Sequence, residues 1–307
     1  MITTHVNPLL AGPVAVLVLA GGAYLTAVTA AIIRPGIGIG TAWRQPLQRV
    51  AVLLVQRPTT TERPDGALWW FAPAAYLGTA ALALTVIPLG TGVAIADVRT
   101  GIVVFGVAEV FAIVALHLQA WGPNSILPLM AGTRYLAVML SYELVSMFVL
   151  IAAALPAESL AIGDIVASQA DLWNVIRQPL GLPLFAVVAW GITTWGPLDL
   201  ARSPDTAGGI VAEASGRNRL VWEWGRHALM FVFAAMSAAV FLGGWHGPFL
   251  PGWVWLCLKT LCVLWALLWG ADRLPRLSTE RAVVITWTLL LPLGFVDLAA
   301  AGVEALP

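Results

Sequence analysis

Apolar residues run through this chain in long, nearly unbroken stretches, with neither the short alternation of a half-buried strand nor the narrow stripe of a soluble helix. Eight stretches approach or exceed the ~20 apolar residues that a membrane-spanning helix needs. They cover 9–33, 68–89, 101–121, 135–155, 180–198, 228–245, 253–271 and 282–301. Polar residues collect between them. One connection has a pattern of its own. Residues 43–55 interleave Arg44, Gln48 and Arg49 with Leu47, Val50, Leu53 and Leu54, which predicts an amphipathic helix lying at the membrane interface. Such a helix would be a basic anchor or a docking place for a soluble partner. The expected fold class is therefore an all-α integral membrane protein with about eight transmembrane helices, one domain over 1–307.

Composition agrees with this pattern. The chain is 60% hydrophobic and only 10% charged, against about 25% charged residues in soluble domains. Net charge is zero, so charge alone gives no direction, but the placement of the cations does. Thirteen of the sixteen basic residues fall on alternate connections, and fifteen of the sixteen are arginine. These loops, about 34–67, 122–134, 199–227 and 272–281, are expected to be cytoplasmic by the positive-inside rule, with both termini on the other side. Trp69, Trp70, Trp121, Trp195, Trp245 and Trp253 lie near predicted span ends, where an interfacial belt is expected. The first apolar stretch is too long, and lacks the basic start, for a cleaved signal; it reads as a retained helix. Cys257 and Cys262 sit five apart in one stretch and are expected to be small buried hydrophobes. His5, His227 and His246 look terminal or interfacial, and no metal-ligand spacing is present.

Glu143 interrupts this picture. It stands inside the stretch 135–155, where a carboxylate is costly unless it faces protein or water and so marks a functional site. Glu109 is a second acid within a span, with His117 two turns further on the same side of a helix, a spacing that allows a protonatable file or a helix–helix hydrogen bond. Asp297, in the last span, is expected to be solvated near the far surface.

The residues around Glu143 carry a resemblance. Gly132-Thr133-Arg134, followed by Leu140-Ser141-Tyr142-Glu143, is similar to a signature of the H-subunit family of respiratory complex I, a family of membrane proteins that includes the membrane subunits of formate hydrogenlyase and energy-converting hydrogenases. Further matches follow in order: 87–90, 96–102, 165–176, 241–248, and 273–276 with Trp287 and 291–293. The first cytoplasmic loop also matches in length from Gln45 to Asp65, so the likeness covers nearly the whole chain.

This resemblance implies a subunit with no redox centre of its own, inactive alone and set in the cell inner membrane among membrane-arm and hydrophilic-arm subunits. It would help to form a quinone chamber and link quinone reduction to proton translocation, with quinone as shared substrate, lipid around it and no nucleic acid. A membrane anchor and proton path of a hydrogenase assembly, or an anchor whose proton path has decayed, are the alternatives. Glu143 would then lie on the proton path, near the cytoplasmic half, and Arg134 would line the quinone chamber or anchor the helix end.

The loop at 196–216 matches the family in two ways. Without gaps, Pro197-Leu198-Asp199 takes the place of a Pro-Phe-Asp motif. With a deletion, Asp199, Arg202, Pro204 and Asp205 take the places of its Glu, Arg, Pro and Asp. Gly209 to Gly216 keeps the spacing of a later block and sets Glu213 on its glutamate. Ser203, Thr206 and Gly208 stand where further acids are expected, and Arg49, Val52, Gln56 and Arg57 replace acids and lysines of the first loop. These departures point to a divergent member of the family.

Overall fold

The computed structural model describes residues 4–5, 8–91 and 93–304, and His5, a side chain assigned above, lies outside the described side chains. The chain forms helices α1 (Pro8–Ile33), α2 (Ile39–Ala42), α3 (Gln45–Val55), α4 (Gly66–Thr85), α5 (Gly101–Trp121) and α6 (Ile126–Ala154). Then follow α7 (Ile162–Ala167), α8 (Asn174–Arg177), α9 (Gly181–Ile192), α10 (Gly216–Phe241), α11 (Gly252–Arg273), α12 (Thr279–Ile285) and α13 (Leu291–Glu304). A small sheet joins β1 (Thr4–His5) in parallel to β3 (Val93–Ala94), and β3 pairs antiparallel with β2 (Pro88–Gly90).

Local chemistry explains several of the ends. Asp65 caps α4 by accepting from the amides of Ala67 and Leu68 at 3.0 and 3.2 Å, and Pro46 opens α3 where its missing N–H costs nothing. The connection with its own pattern holds α3, over 45–55. Its Leu53 is buried while Leu47, Leu54 and Val55 are exposed.

Seven helices are long and apolar enough to cross a membrane: α1, α4, α5, α6, α10, α11 and the continuous rod 279–304, in which a π-turn at Thr286–Leu290 joins α12 to α13. The stretch at 180–198 behaves differently. It forms only α9, twelve residues, or ~18 Å of helix against a ~30 Å hydrocarbon core. Thr194 at φ +56° and Gly196 at φ +62° turn the chain out of the helix, and the Thr193 hydroxyl bonds back to the Ala189 carbonyl at 2.5 Å. Two other helices start earlier than their apolar runs. α6 begins at Ile126 instead of 135, and α10 at Gly216 instead of 228, so both carry arginines within the helix.

α10 lies at the centre. It packs on α4, α1, α11, α9 and α3, and its buried face includes the small residues Gly225, Ala228, Ala234, Ser237 and Ala238, which let neighbours approach closely. Phe105, Phe185, Phe233 and Phe241 interlock beside it, and Tyr76 stacks on Trp222 with ring centres 4.2 Å apart.

Three expectations are corrected. Cys257 and Cys262 are exposed on the outer side of α11 with Leu258 and Leu261, because Leu256, Thr260 and Leu264 take its buried face. Trp69 and Trp195 are buried and so leave the interfacial belt, whereas Trp70, Trp121 and Trp253 remain exposed. Asp297 is buried at 3% exposure because α13 turns it inward, toward α6, where Gln178 donates to it. Glu143 stands within the middle turns of α6, which starts before Arg134.

Candidate functional site

The seam between the antiparallel helices α5 and α6 holds the two membrane acids. Glycines allow the close approach. A β-carbon at Gly132 would stand 2.3 Å from that of Ala120, and one at Gly106 would meet Met147 Cε at 2.2 Å and Glu143 Oε1 at 3.7 Å. Glu109, 1% exposed, lies one turn from Gly106 on α5. Ser146 Oγ sits 3.0 and 2.9 Å from its two oxygens, one turn from Glu143 on α6. Glu143 Oε2 is buried without a hydrogen-bond partner among the described residues. Both carboxyls thus line one seam, and among the described residues neither has a cation within ion-pair distance. Two like charges in such a place cannot both persist at low cost, so the arrangement favours proton sharing. His117 belongs to the same seam, since its Nδ1 lies 3.7 Å from the β-carbon position of Gly132 and lacks a partner among the described residues. It is about 12 Å of helix from Glu109, so no direct bond links them. Tyr142 is buried against Gly191.

A second cluster stands at the arginine-bearing face, where α9 ends. Asp199, 2% exposed, is gripped by Arg202 through Nη2 at 2.5 Å and Nε at 3.2 Å, and by Arg276 from the α11–α12 connection at 3.3 Å. The carbonyl of Thr194 accepts from Arg202 at 3.2 Å and from Arg226 at 3.1 and 2.8 Å. Arg226 also stacks on the Trp195 ring, 3.6 Å from its centre. This elbow borders two adjoining cavities of about 380 Å³ each, which share Ala30, Arg34, Trp195, Arg202 and Arg226. One of them meets an apolar groove of about 550 Å³ between α1, α4 and α10, sharing Ala23, Val50, Leu220 and Trp224 with it. Trp195 lines both cavities, and its indole N–H has no acceptor among the described residues.

The other expected residues lie apart from this elbow. Arg134 does not reach Glu143. It pairs with Asp205 at 2.5 Å on the surface, where hydrogen bonds from Ser203 and Arg134 hold the Asp205 carboxyl below its ordinary range. Glu213 accepts from the Ser125 hydroxyl at 3.2 Å, tying the loop to the start of α6. Gly209, at φ +63°, lets that loop fold back, since a β-carbon there would overlap the Ala201 carbonyl at 1.9 Å. Arg49 of α3 pairs with Glu223 at 2.8 Å, and Arg219 pairs with the same carboxyl at 2.9 Å. That carboxylate raises the Arg49 pKa further above its ordinary value.

Sequence reasoning missed Ser146, Trp195, Arg226 and Arg276. The spacing of Ser146 one turn after Glu143 was an available signal for the first. Arg226 and Arg276 read as loop cations, and only the fold brings them to Thr194 and Asp199. Among the described residues no group of three His, Cys, Asp or Glu side chains can hold a metal ion.

Both the acid seam and the arginine elbow fall within the part of the chain that matches a family model. That model, described as NADH dehydrogenase, aligns with residues 10–302. The chain belongs to this family. It is 30% identical, over 84% of its length and 81% of the relative's, to an H subunit of NADH-quinone oxidoreductase (the one numbered 2) of Syntrophobacter fumaroxidans. The H subunit numbered 1 of Geobacter metallireducens is 31% identical over 84% and 82% of the two chains. That of Anoxybacillus flavithermus is 29% identical over 85% and 80%. These relatives are subunits of an oxidoreductase complex, and the apolar helices make this chain a multi-pass membrane protein.

Proposed function

We propose that this chain is the membrane subunit of an NADH-quinone oxidoreductase-type complex, in which it helps to form the quinone chamber and couples quinone reduction to proton translocation. The observation that carries the reading is the pair Glu109, buried, and Glu143, half-buried with its Oε2 enclosed, in the α5–α6 seam without a counter-charge among the described residues, in a chain of this family. The pair holds and passes a proton, with Ser146 orienting Glu109 and the free Glu143 oxygen ready to accept one. Quinone occupies the cavities at the elbow. Its tail fits the apolar groove, and its carbonyl oxygens supply the acceptor that the Trp195 N–H lacks and further acceptors for the arginines there. Asp199, gripped by two arginines, fixes the elbow, while Arg34 and Arg202 face the cavity. Redox centres lie on neighbouring subunits of the hydrophilic arm, and the surface pair Arg134–Asp205, with Glu213 behind it, belongs to the face that meets them. The arginine-bearing loops face the cytoplasm, with the complex in the cell inner membrane and both termini on the opposite side.

The test is Glu143→Gln in the assembled complex, reconstituted in lipid vesicles. Proton translocation should fall while NADH-driven quinone reduction by the detergent-solubilised complex continues. Translocation equal to the parent's would remove Glu143 from the path. For the chamber, Arg202→Ala should raise the quinone KM, and an unchanged KM would remove the elbow from it.

A further inference from the structure

Glu109, Asp199 and Asp297 are buried in this bundle, and Glu143, Glu213 and Glu223 are half-buried. Asp199 and Glu223, near the arginine-bearing face, each pair with two arginines. Glu109, Glu143 and Asp297 have no cation within ion-pair distance among the described residues, and all three lie on helices that meet at α6: α5, α6 itself and α13. Asp297 is 3% exposed. Its side-chain partner is Gln178, whose Nε2 donates to Asp297 Oδ2 at 2.6 Å and to the Val149 carbonyl of α6 at 3.2 Å. The amide thus ties the acid to the helix that carries Glu143.

We infer that Asp297 is a third proton-exchanging acid, placed after the Glu109–Glu143 pair on the way out of the seam. Heights along the helices support this order. At 1.5 Å per residue, Glu143 lies ~16 Å from the end of α6 at Ala154, and Ser146 lies ~12 Å from it. Asp297 lies ~10 Å from the end of α13 at Glu304, on the same face of the bundle. The series therefore steps away from the arginine elbow. The rod 279–304 is also shaped for this. Its buried positions run Ala282, Thr286, Leu290, Gly294, Asp297 and Ala301, a spacing wider than the 3.6 residues that keep a straight helix on one face. The π-turn at Thr286–Leu290 supplies the extra residue that holds Asp297 on the buried line.

In turnover, a carboxylic acid at Asp297 gives its proton to water at the nearby end of the bundle. The carboxylate that remains keeps the Gln178 N–H, and it is reprotonated from the Glu109–Glu143 pair through water in the seam. No counter-ion assists, so the charged form is short-lived. Charged groups toward this end include Glu304 of α13 itself, Glu158 just beyond α6, Asp164 and Asp171 of the connection that follows, and Arg177, which is bound to the Ser168 carbonyl at 3.3 Å; none pairs with Asp297.

This inference rests on the proton-path reading above, and its test separates the two. Asp297→Asn retains an acceptor for Gln178, so the packing tie is preserved while the proton site is lost. In the reconstituted complex, D297N should assemble and reduce quinone, yet translocate less than about half the protons per electron of the parent. D297E should restore them, and the infrared carbonyl band of a protonated carboxyl, altered on reduction in the parent, should be missing in D297N. Parental translocation in D297N, beside a loss in E143Q, would overturn the role of Asp297 alone. Parental translocation in both would overturn the proton-path reading itself. If D297N does not assemble, Gln178→Ala is the second arm: the pH profile of translocation should shift, and an unmoved profile would overturn the inference.

Discussion

Ser146 on α6 gives its hydroxyl to Glu109 on α5, within 3.0 Å of both carboxyl oxygens and one turn from Glu143. A seam that needed only close packing would place alanine there, as it does at Ala120 opposite Gly132. Serine instead holds one acid in a fixed orientation and leaves the other free. That difference fits an arrangement for moving a proton better than one for joining two helices.

Ser146→Ala should therefore affect both stability and coupling. Removing the donor leaves a buried carboxyl unsatisfied, at a cost of ~1–3 kcal/mol. Thermal unfolding of the purified complex should shift down accordingly, and protons moved per electron should fall. Glu109→Gln keeps a partner for Ser146, so it should spare stability and lower only the proton count. Equal proton counts for E109Q and the parent would exclude Glu109 from the path.

How much of this is legible in the residues depends on the kind of information required. The stretch 101–121 matches α5 end to end, because hydropathy and helix length coincide there. The stretch 180–198 fails because hydropathy is blind to the left-handed backbone at Thr194 and to the kink at Gly196 and Pro197. Glu143 stands out as a charge in an apolar run. Two readings of the loop, one without gaps and one with a deletion, both use Asp199, and spacing does not separate them. The fold adds what spacing does not carry, that Asp199 sits under two arginines and Asp205 at the surface. Asp297 is misplaced by sequence reasoning because a π-turn changes which face a residue takes, and periodicity assumes a uniform helix.

Lys259 provides a test away from both acid and elbow. Its ammonium, in a residue 5% exposed, donates to the carbonyls of Leu242, Gly244 and His246 at 2.6, 3.1 and 2.6 Å and lies 4.1 Å from the Trp173 ring centre. It thus satisfies the carbonyls that follow the end of α10. Lys259→Met leaves them bare in a buried place and should cost at least ~2 kcal/mol. The measurement is thermal unfolding of the complex, and an unchanged midpoint would mean that water replaces the ammonium.

The surface pair Arg134–Asp205 sets a pH dependence. The Asp205 carboxyl is held below its ordinary range by Ser203 and then Arg134, so the charged form is favoured in the folded chain. A lowered folded value contributes stability above the unfolded carboxylate value of ~3.9 and loses it as pH falls through the folded value. Asp205 is more than half exposed, so the contribution is small and screened by salt. Asp205→Asn should leave neutral-pH stability nearly unchanged and flatten the acid limb below about pH 4. Acid titration of both proteins, followed by circular dichroism, checks this, and parallel acid limbs would show that the pair contributes nothing.

Arg226 is the strictest test of the elbow. Its guanidinium makes three hydrogen bonds to Thr194, two to the carbonyl and one to the hydroxyl, while stacking on Trp195. A lysine retains the charge but not the planar fork, so it cannot bind Thr194 twice and cover the indole together. Arg226→Lys should loosen the left-handed turn at Thr194, which no β-branched residue adopts without outside support. Trp195 would then shift in the cavity wall. The expected result is a quinone KM raised by about tenfold, equivalent to ~1.4 kcal/mol of binding, with kcat less affected. A stable, assembled R226K complex with parental KM would show that the elbow positions no substrate.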